Sequence, residues 1–398
     1  MKTSLLMVFE RYAKVASGSL YVMFLAKHLG PSLYGEYSES LAFIGVFGVL
    51  ALAGLDSLFQ KELSLSNNHS LVIKKFLLIK CVPVVLAILC YLAFWPQKDP
   101  LFIYFIPFLF SVILSFPYQG LIYEEKFKKI LTVSFSVIII SNLCRLYLFT
   151  HQTQLYWYVL SYSMECACYP LGYFLFYCKN KRILYQKVDF KDYLLLIRNG
   201  WALIISTILV GLYTRLAILN LSSNSLAHEV GRFSLLTRIV DAMLVVAVSS
   251  SMLGMKRLLN AGENYNKYKR EYLVTMYTVS LLMTFLTFSC VYYLSPIIFG
   301  VQYAYNLDVA SITALVVLFS FMGIYNGRLL VIEGFYYFPL ARNVLAILAF
   351  IIFIYFTRNA YSLDKAMLSI LIAWCSSSFI FMIFTKQTRR MIFLELKK

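Results

Sequence analysis

Runs of about 20 apolar residues recur from one end of this chain to the other, separated only by short polar turns, and nothing else constrains its fold as strongly. A helix needs roughly 20 mostly apolar residues to cross about 30 Å of hydrocarbon. We place twelve such spans at residues 9–29, 37–60, 72–95, 101–123, 130–149, 155–178, 197–220, 229–254, 272–294, 309–331, 338–356 and 365–385. Stretches such as "FIGVFGVLALAG" and "AILAFIIFIYF" are apolar on every face, unlike the alternating strands of about 10 residues in a membrane barrel. Composition agrees: 61% of the 398 residues are apolar and 14% charged, with a mean hydropathy of +0.74, far from soluble usage. The expected class is an all-α, polytopic membrane protein in which no connection is long enough to fold as a soluble domain. The first run is too long for a signal-peptide core and lacks a small-residue cleavage site.

Lysine and arginine set the orientation, because short cytoplasmic loops retain positive charge. One side carries Lys61, Lys74, Lys75, Lys126, Lys128, Lys129, Lys179, Lys181, Arg182, Lys187, Lys191, Lys256, Arg257, Lys267, Lys269 and Arg270, followed by the tail with Lys386, Arg389, Arg390, Lys397 and Lys398. The other side has only Lys27, Lys98 and Arg358, with Lys365 at a helix edge. Both termini are therefore expected in the cytoplasm. The same bias accounts for most of the net charge of +17, and no aromatic-interleaved basic module suggests nucleic acid. The eight cysteines lie in or at the ends of spans without zinc-ligand or redox spacing, so they read as small apolar helix residues. No metal site and no catalytic constellation is evident.

The turn "LGPSLYGEYS" at residues 29–38 has a twin in "AHEVGRFS" at 227–234. Gly35-Glu-Tyr-Ser and Gly231-Arg-Phe-Ser repeat as glycine, charge, aromatic, serine, each opening a long span, at an offset of 196 residues. Such self-similarity reads as a duplication. With six spans per half the repeats are parallel, related by an axis along the membrane normal. The expected organisation is an N-terminal six-helix lobe (1–178), a linker (179–198), a C-terminal six-helix lobe (199–385) around a central cavity, and a basic tail (386–398). Ile183, Leu184, Val188 and Leu194 have near-helical spacing in the linker, which reads either as an interfacial amphipathic helix or as a plain charged connection.

Ionisable groups at membrane depth are costly unless they face protein or water. Arg11, Asp56, Arg328 and Arg342 near one side, and Glu39, Arg145 and Arg215 near the other, lie close enough to span ends to snorkel. Arg238 lies about nine residues, or ~13 Å, inside its span. Asp241 follows one turn later and either neutralises Arg238 as a structural pair or tunes it in a charged patch on a cavity wall. Glu165 lies midway through span six with no basic neighbour in its own helix, the setting in which a carboxylate can carry a proton. Lys14 and Lys80 lie one to two turns inside their spans. The cations Lys14, Lys80, Arg145, Arg215, Arg238 and Arg342 outnumber Glu165 and Asp241, and a cationic cavity favours an anionic passenger.

The stretches "LAKHLGPSLYGEYSESLAFIGVFGVLALAGLDSLFQKEL", "LYTRLAILNL…HEVGRFSLLTRIVDAMLVVAVSSSM" and "SPIIFGVQYAYNLDVASITAL" resemble the polysaccharide exporters of the multidrug/oligosaccharidyl-lipid/polysaccharide superfamily, specifically the Wzx-type O-antigen flippases. The resemblance covers the whole chain. It implies a multi-pass protein of the bacterial inner membrane, not an enzyme, that moves an undecaprenyl-pyrophosphate-linked oligosaccharide from the cytoplasmic to the periplasmic leaflet by alternating access. On this reading Arg215, Arg238, Lys14 and Arg145 contact the pyrophosphate and sugars, and Glu165 and Asp241 serve ion coupling or structural pairing. No cofactor is implied beyond proton or sodium coupling. The partners implied are membrane lipids, a polysaccharide polymerase and a chain-length regulator, without nucleic acid. One departure stands out: Ala217 occupies the place of an Asp that often follows the family's span-seven arginine by two residues, whereas Arg215 matches. Two rivals remain. A cation or drug antiporter of the same superfamily would want an acidic or aromatic cavity. A membrane O-antigen polymerase or glycosyltransferase would want a large outer loop, and the longest outer segment here is residues 295–308.

Overall fold

A computed structural model describes residues 2–52, 59, 62–63, 69–94, 100–151, 154–178, 190–259, 262–335, 337–385 and 388–389. Asp56, residues 179–189 of the expected linker, most of the tail and the side chain of Arg11 lie outside the described residues. The described residues contain helices and turns and no strand. Eight helices among them are long and apolar enough to cross a membrane.

The first two expected spans form one element, α1 (Lys2–Leu52), bent at Gly30, whose φ of 70° and ψ of 171° leave the helical region. Pro31 follows at once. Proline has no N–H for the ladder and its ring clashes with the carbonyl four residues back, while glycine alone takes positive φ without strain, so the pair sets the bend. Next come α2 (His69–Phe94) and a fourth span broken into a 3-10 turn (Pro100–Phe105), α3 (Ile106–Ile113) and α4 (Phe116–Tyr123). Pro117, in the first turn of α4, explains the break. α5 (Phe127–Thr150) and α6 (Leu155–Cys178) complete the first half.

The second half has α7 (Phe190–Asn224), α8 (Ala227–Leu259), α9 (Tyr265–Ser289), the short α10 (Ser295–Phe299), α11 (Leu307–Ile332), α12 (Phe338–Thr357), α13 (Leu363–Cys375) and α14 (Phe381–Phe384). One π turn, Cys290–Leu294, continues α9 toward α10, and another, Ser376–Ile380, joins α13 to α14. Helix α7 starts at Phe190, seven residues before the expected span. Residues 190–198 of the expected linker are helical and continuous with the span that follows.

Helix α5 shows how a bilayer inverts soluble patterning. Ser134, Ser141 and Arg145, at offsets of seven and four residues, are buried. Ile139, Ile140, Leu143, Leu146 and Tyr147 on the opposite face are all more than half exposed. Lipid tails are as apolar as these side chains, so the oily face gains nothing by turning inward, whereas the polar face must find protein partners.

Two compact units emerge, residues 1–21 with 39–215, and residues 22–38 with 216–398. In the first, α6 packs against α3, α4 and α5. The Phe59 ring meets Phe76 edge-on and Phe116 at a tilt, with centroids 5.1 Å apart in each pair, within a cluster that includes Val72, Ile130, Val133 and Tyr177. In the second, α11 packs against α8, α9 and α13. This unit also contains the two glycine turns, which touch each other. A Cβ on Gly35 would lie 1.9 Å from the Ala227 carbonyl oxygen, and one on Gly231 would lie 1.9 Å from that of Pro31. The contact is reciprocal, and each residue pairs with the counterpart of the other at the 196-residue offset. Reciprocity of this kind is the mark of a local two-fold relation.

Candidate functional site

The first unit carries a continuous polar network at its centre. Glu10, on the first turns of α1, is 1% exposed. Its carboxylate accepts hydrogen bonds from Ser134 (2.7 Å), Tyr118 (3.1 Å) and Tyr173 (3.4 Å). One turn on, Lys14 forms an ion pair with Glu10 at 2.5 Å and donates to the Tyr173 hydroxyl at 2.6 Å. The Lys14 ammonium also lies over three rings, those of Tyr169 at 4.6 Å and of Tyr118 and Tyr173 at 5.0 Å.

Tyr169 links this cluster to the next. Its hydroxyl donates to Glu165 at 3.2 Å, and Glu165 forms an ion pair with Arg145 of the neighbouring helix α5. Arg145 is 2% exposed and its guanidinium lies 3.8 Å above the Tyr21 ring. The Tyr21 hydroxyl in turn donates to the Tyr158 carbonyl at 2.9 Å. Nearby, Asn142 donates to Ser17 at 2.8 Å. Helix α6 makes the linkage possible: Glu165, Tyr169 and Tyr173 recur every four residues and so share one face. Two acids and two bases balance within the network.

Lys14, Arg145 and Glu165 are therefore brought together. Glu165 has its basic partner after all, twenty residues back in sequence and one helix across. Glu10 is the member that inspection of span interiors passes over, since it lies at the edge of the first span. The signal was present as Glu-x-x-x-Lys, the favoured order for a pair on one helical face. Lys80 is fully buried and donates to the Ser115 hydroxyl at the break in the fourth span. Arg215 lies half-buried against Gly45, where a Cβ would come 2.8 Å from its Nε, so the glycine makes its room.

In the second unit, Arg238 and Asp241 are 3.9 Å apart with side chains 31% and 55% exposed, a loose pair compared with that of Arg145. The buried Tyr34 hydroxyl lies within hydrogen-bonding reach of Ser38 and Arg238. Arg342 donates to the Gly323 carbonyl at 2.7 Å. Near the start of α8, Arg232 meets the Ala304 carbonyl and stands 5.1 Å from the Tyr305 ring. At the other end, Glu333 accepts from Lys269 (2.8 Å) and Tyr265 (2.7 Å). The seven cysteines described are all free thiols.

No protein-family model matches the sequence, and no curated protein does. Solved structures do share its fold. An inward-facing multidrug resistance transporter of the MATE family, within the MOP superfamily, superposes with a TM-score of 0.65 at 13% identity over 98% of this chain and 96% of its own. The MATE multidrug transporter DinF-BH gives 0.63 at 13% identity over 98% and 96%. The lipid II flippase MurJ, in an inward closed conformation, gives 0.69 at 15% identity over 99% and 90%. Along its whole length, this chain has the fold that MATE transporters and MurJ share.

Proposed function

We propose that this chain is a flippase of the bacterial inner membrane that carries an undecaprenyl-pyrophosphate-linked oligosaccharide, an O-antigen or related lipopolysaccharide repeat unit, to the periplasmic leaflet by alternating access between two six-helix lobes. The fold is common to drug antiporters and to a lipid-linked flippase, so fold does not choose between them. Charge at membrane depth supports the choice. Adding Glu10, Glu39 and Asp56 to Glu165 and Asp241 gives five carboxylates, still fewer than the eight cations Arg11, Lys14, Lys80, Arg145, Arg215, Arg238, Arg328 and Arg342. A positive surplus suits a pyrophosphate and penalises a cationic drug.

Arg215 and Arg238 are the proposed contacts to the pyrophosphate. Lys14 and Arg145 are held by carboxylates and reach an anion only when released from them. Glu165 and Asp241 are the proposed coupling groups. Complementation of a strain lacking its O-antigen flippase tests the reading. The wild-type gene restores surface polysaccharide, and Arg238→Ala abolishes it while the protein still inserts in the membrane. Normal polymer from Arg238→Ala refutes the assignment. Raised sensitivity to cationic drugs on deletion, with polysaccharide intact, favours the antiporter instead.

A further inference from the structure

The cluster around Glu10 has the composition of a receptor for a small cation. A single buried carboxylate, the Ser134 hydroxyl and two phenolic oxygens converge on one point, and three tyrosine faces wall it. Ring faces carry negative quadrupole potential and attract ammonium groups within about 6 Å. The occupant is already present, and it belongs to the chain: the Lys14 ammonium sits 2.5 Å from Glu10, 2.6 Å from the Tyr173 hydroxyl and inside all three ring contacts. One carboxylate against one ammonium leaves the filled site neutral, so the occupant it balances carries a single positive charge. Lys14 is 25% exposed where Glu10 is 1% exposed, so the ammonium enters from the more open side on a flexible four-carbon stem.

The geometry points to a monovalent-cation site that the protein fills with its own lysine. Lys14 takes the place that sodium or an organic ammonium would take in a chain without it, and the wild-type protein does not draw on sodium at this position. Removing the ammonium would leave a desolvated carboxylate without a counter-charge, the costliest state for such a group, and the vacated cage would recruit a cation from solution. The inference concerns what this site holds and is independent of what the protein transports.

The test is thermal unfolding of the purified full-length protein in detergent, in chloride salts of sodium, propylammonium or the bulky tetraethylammonium at equal ionic strength. Propylammonium replaces the atoms that Lys14→Ala removes. The wild-type midpoint is expected to show no dependence on sodium or propylammonium that Glu10→Gln removes. The Lys14→Ala midpoint is expected to fall in tetraethylammonium and to recover by a few degrees, saturably, in propylammonium. Recovery in sodium as well marks a general monovalent site, and recovery in propylammonium alone an ammonium site. The double variant Glu10→Gln/Lys14→Ala should respond to neither. A sodium-dependent wild-type midpoint that disappears in Glu10→Gln overturns the inference, as does Lys14→Ala responding to neither cation. Should Lys14→Ala fail to fold, Lys14→Met keeps the stem and is read for sodium alone: stabilisation supports the site, and no effect overturns it. None of these readouts involves polysaccharide, so failure here is distinct from failure of the flippase reading.

Discussion

Replacing Gly35 by alanine probes the close contact of the two glycine turns. The added Cβ would lie 1.9 Å from the Ala227 carbonyl oxygen, 2.7 Å from its carbonyl carbon and 3.1 Å from the Gly231 nitrogen. These are backbone atoms, so no side chain can rotate away. Relief to 3.0 Å, below which Cβ contacts are essentially never found, requires the two segments to part by about 1.1 Å. Forced separation of a packed contact costs about 1–3 kcal/mol. Gly231→Ala meets the same situation in mirror image, 1.9 Å from the Pro31 carbonyl oxygen, and should cost a similar amount.

Because one separation accommodates both methyl groups, the double variant should cost little more than either single, well short of the sum of about 2–6 kcal/mol that independent sites would give. Gly18→Ala is the control. It lies in the same helix with nothing within 4 Å of its Cβ position, and alanine there should stabilise by about 0.5–1 kcal/mol through helix propensity alone. Thermal midpoints of the four variants in detergent provide the measurement. Strict additivity of Gly35→Ala and Gly231→Ala, or a Gly35→Ala midpoint equal to that of Gly18→Ala, would refute the reasoning.

Two further outcomes follow from the ion pairs. Arg145→Met or Glu165→Gln alone strands a buried charge and should cost about 3–5 kcal/mol, whereas the double variant should recover a large part of that loss; additive midpoints would show that the pair is not coupled. Glu333 provides the pH test. Burial, the largest single influence, works to raise its pKa, but the hydrogen bonds from Lys269 and Tyr265 and the charge of Lys269 outweigh it and hold the carboxyl below its ordinary 4.5. A lowered native pKa means that the stabilisation is complete above that ordinary value and is lost as pH falls through the native one. The deficit of Glu333→Gln relative to wild type should therefore be constant above pH 4.5 and shrink below it; a deficit that is independent of pH through the acid range would contradict this.

The candidate site was partly legible in the sequence. Lys14, Arg145 and Glu165 drew notice because a charge among apolar residues is costly wherever it lies. That Arg145 and Glu165 neutralise each other was not legible. Twenty residues and a turn separate them, and the register of α5 against α6 is set by side-chain packing that no local pattern encodes. Glu10 escaped because it lies at the edge of an apolar run, where exposure is the ordinary expectation. Its burial follows from Ser134, Tyr118 and Tyr173, contributed by three other helices. The apparent cationic character of Lys14 and Arg145 changed accordingly, since partners from distant segments bring countercharge that counting within one span does not see.

By itself, the sequence determined the helical class, the approximate position of the eight apolar spans found among the described residues, the bend at Gly30-Pro31 and the 196-residue echo of the glycine turn. Each is a local property: hydrophobic length, the missing N–H of proline, the missing Cβ of glycine. Only the tertiary structure decided that the two echoing glycines face each other, that residues 190–198 run on into α7 as one helix, and that the lysine of the first helix rests in a cage of tyrosines from α4 and α6. The physical reason is common to all three. In a bilayer the oily faces of helices are interchangeable, so polar and small residues select the partner helix and its register, and that selection exists only once the helices have come together.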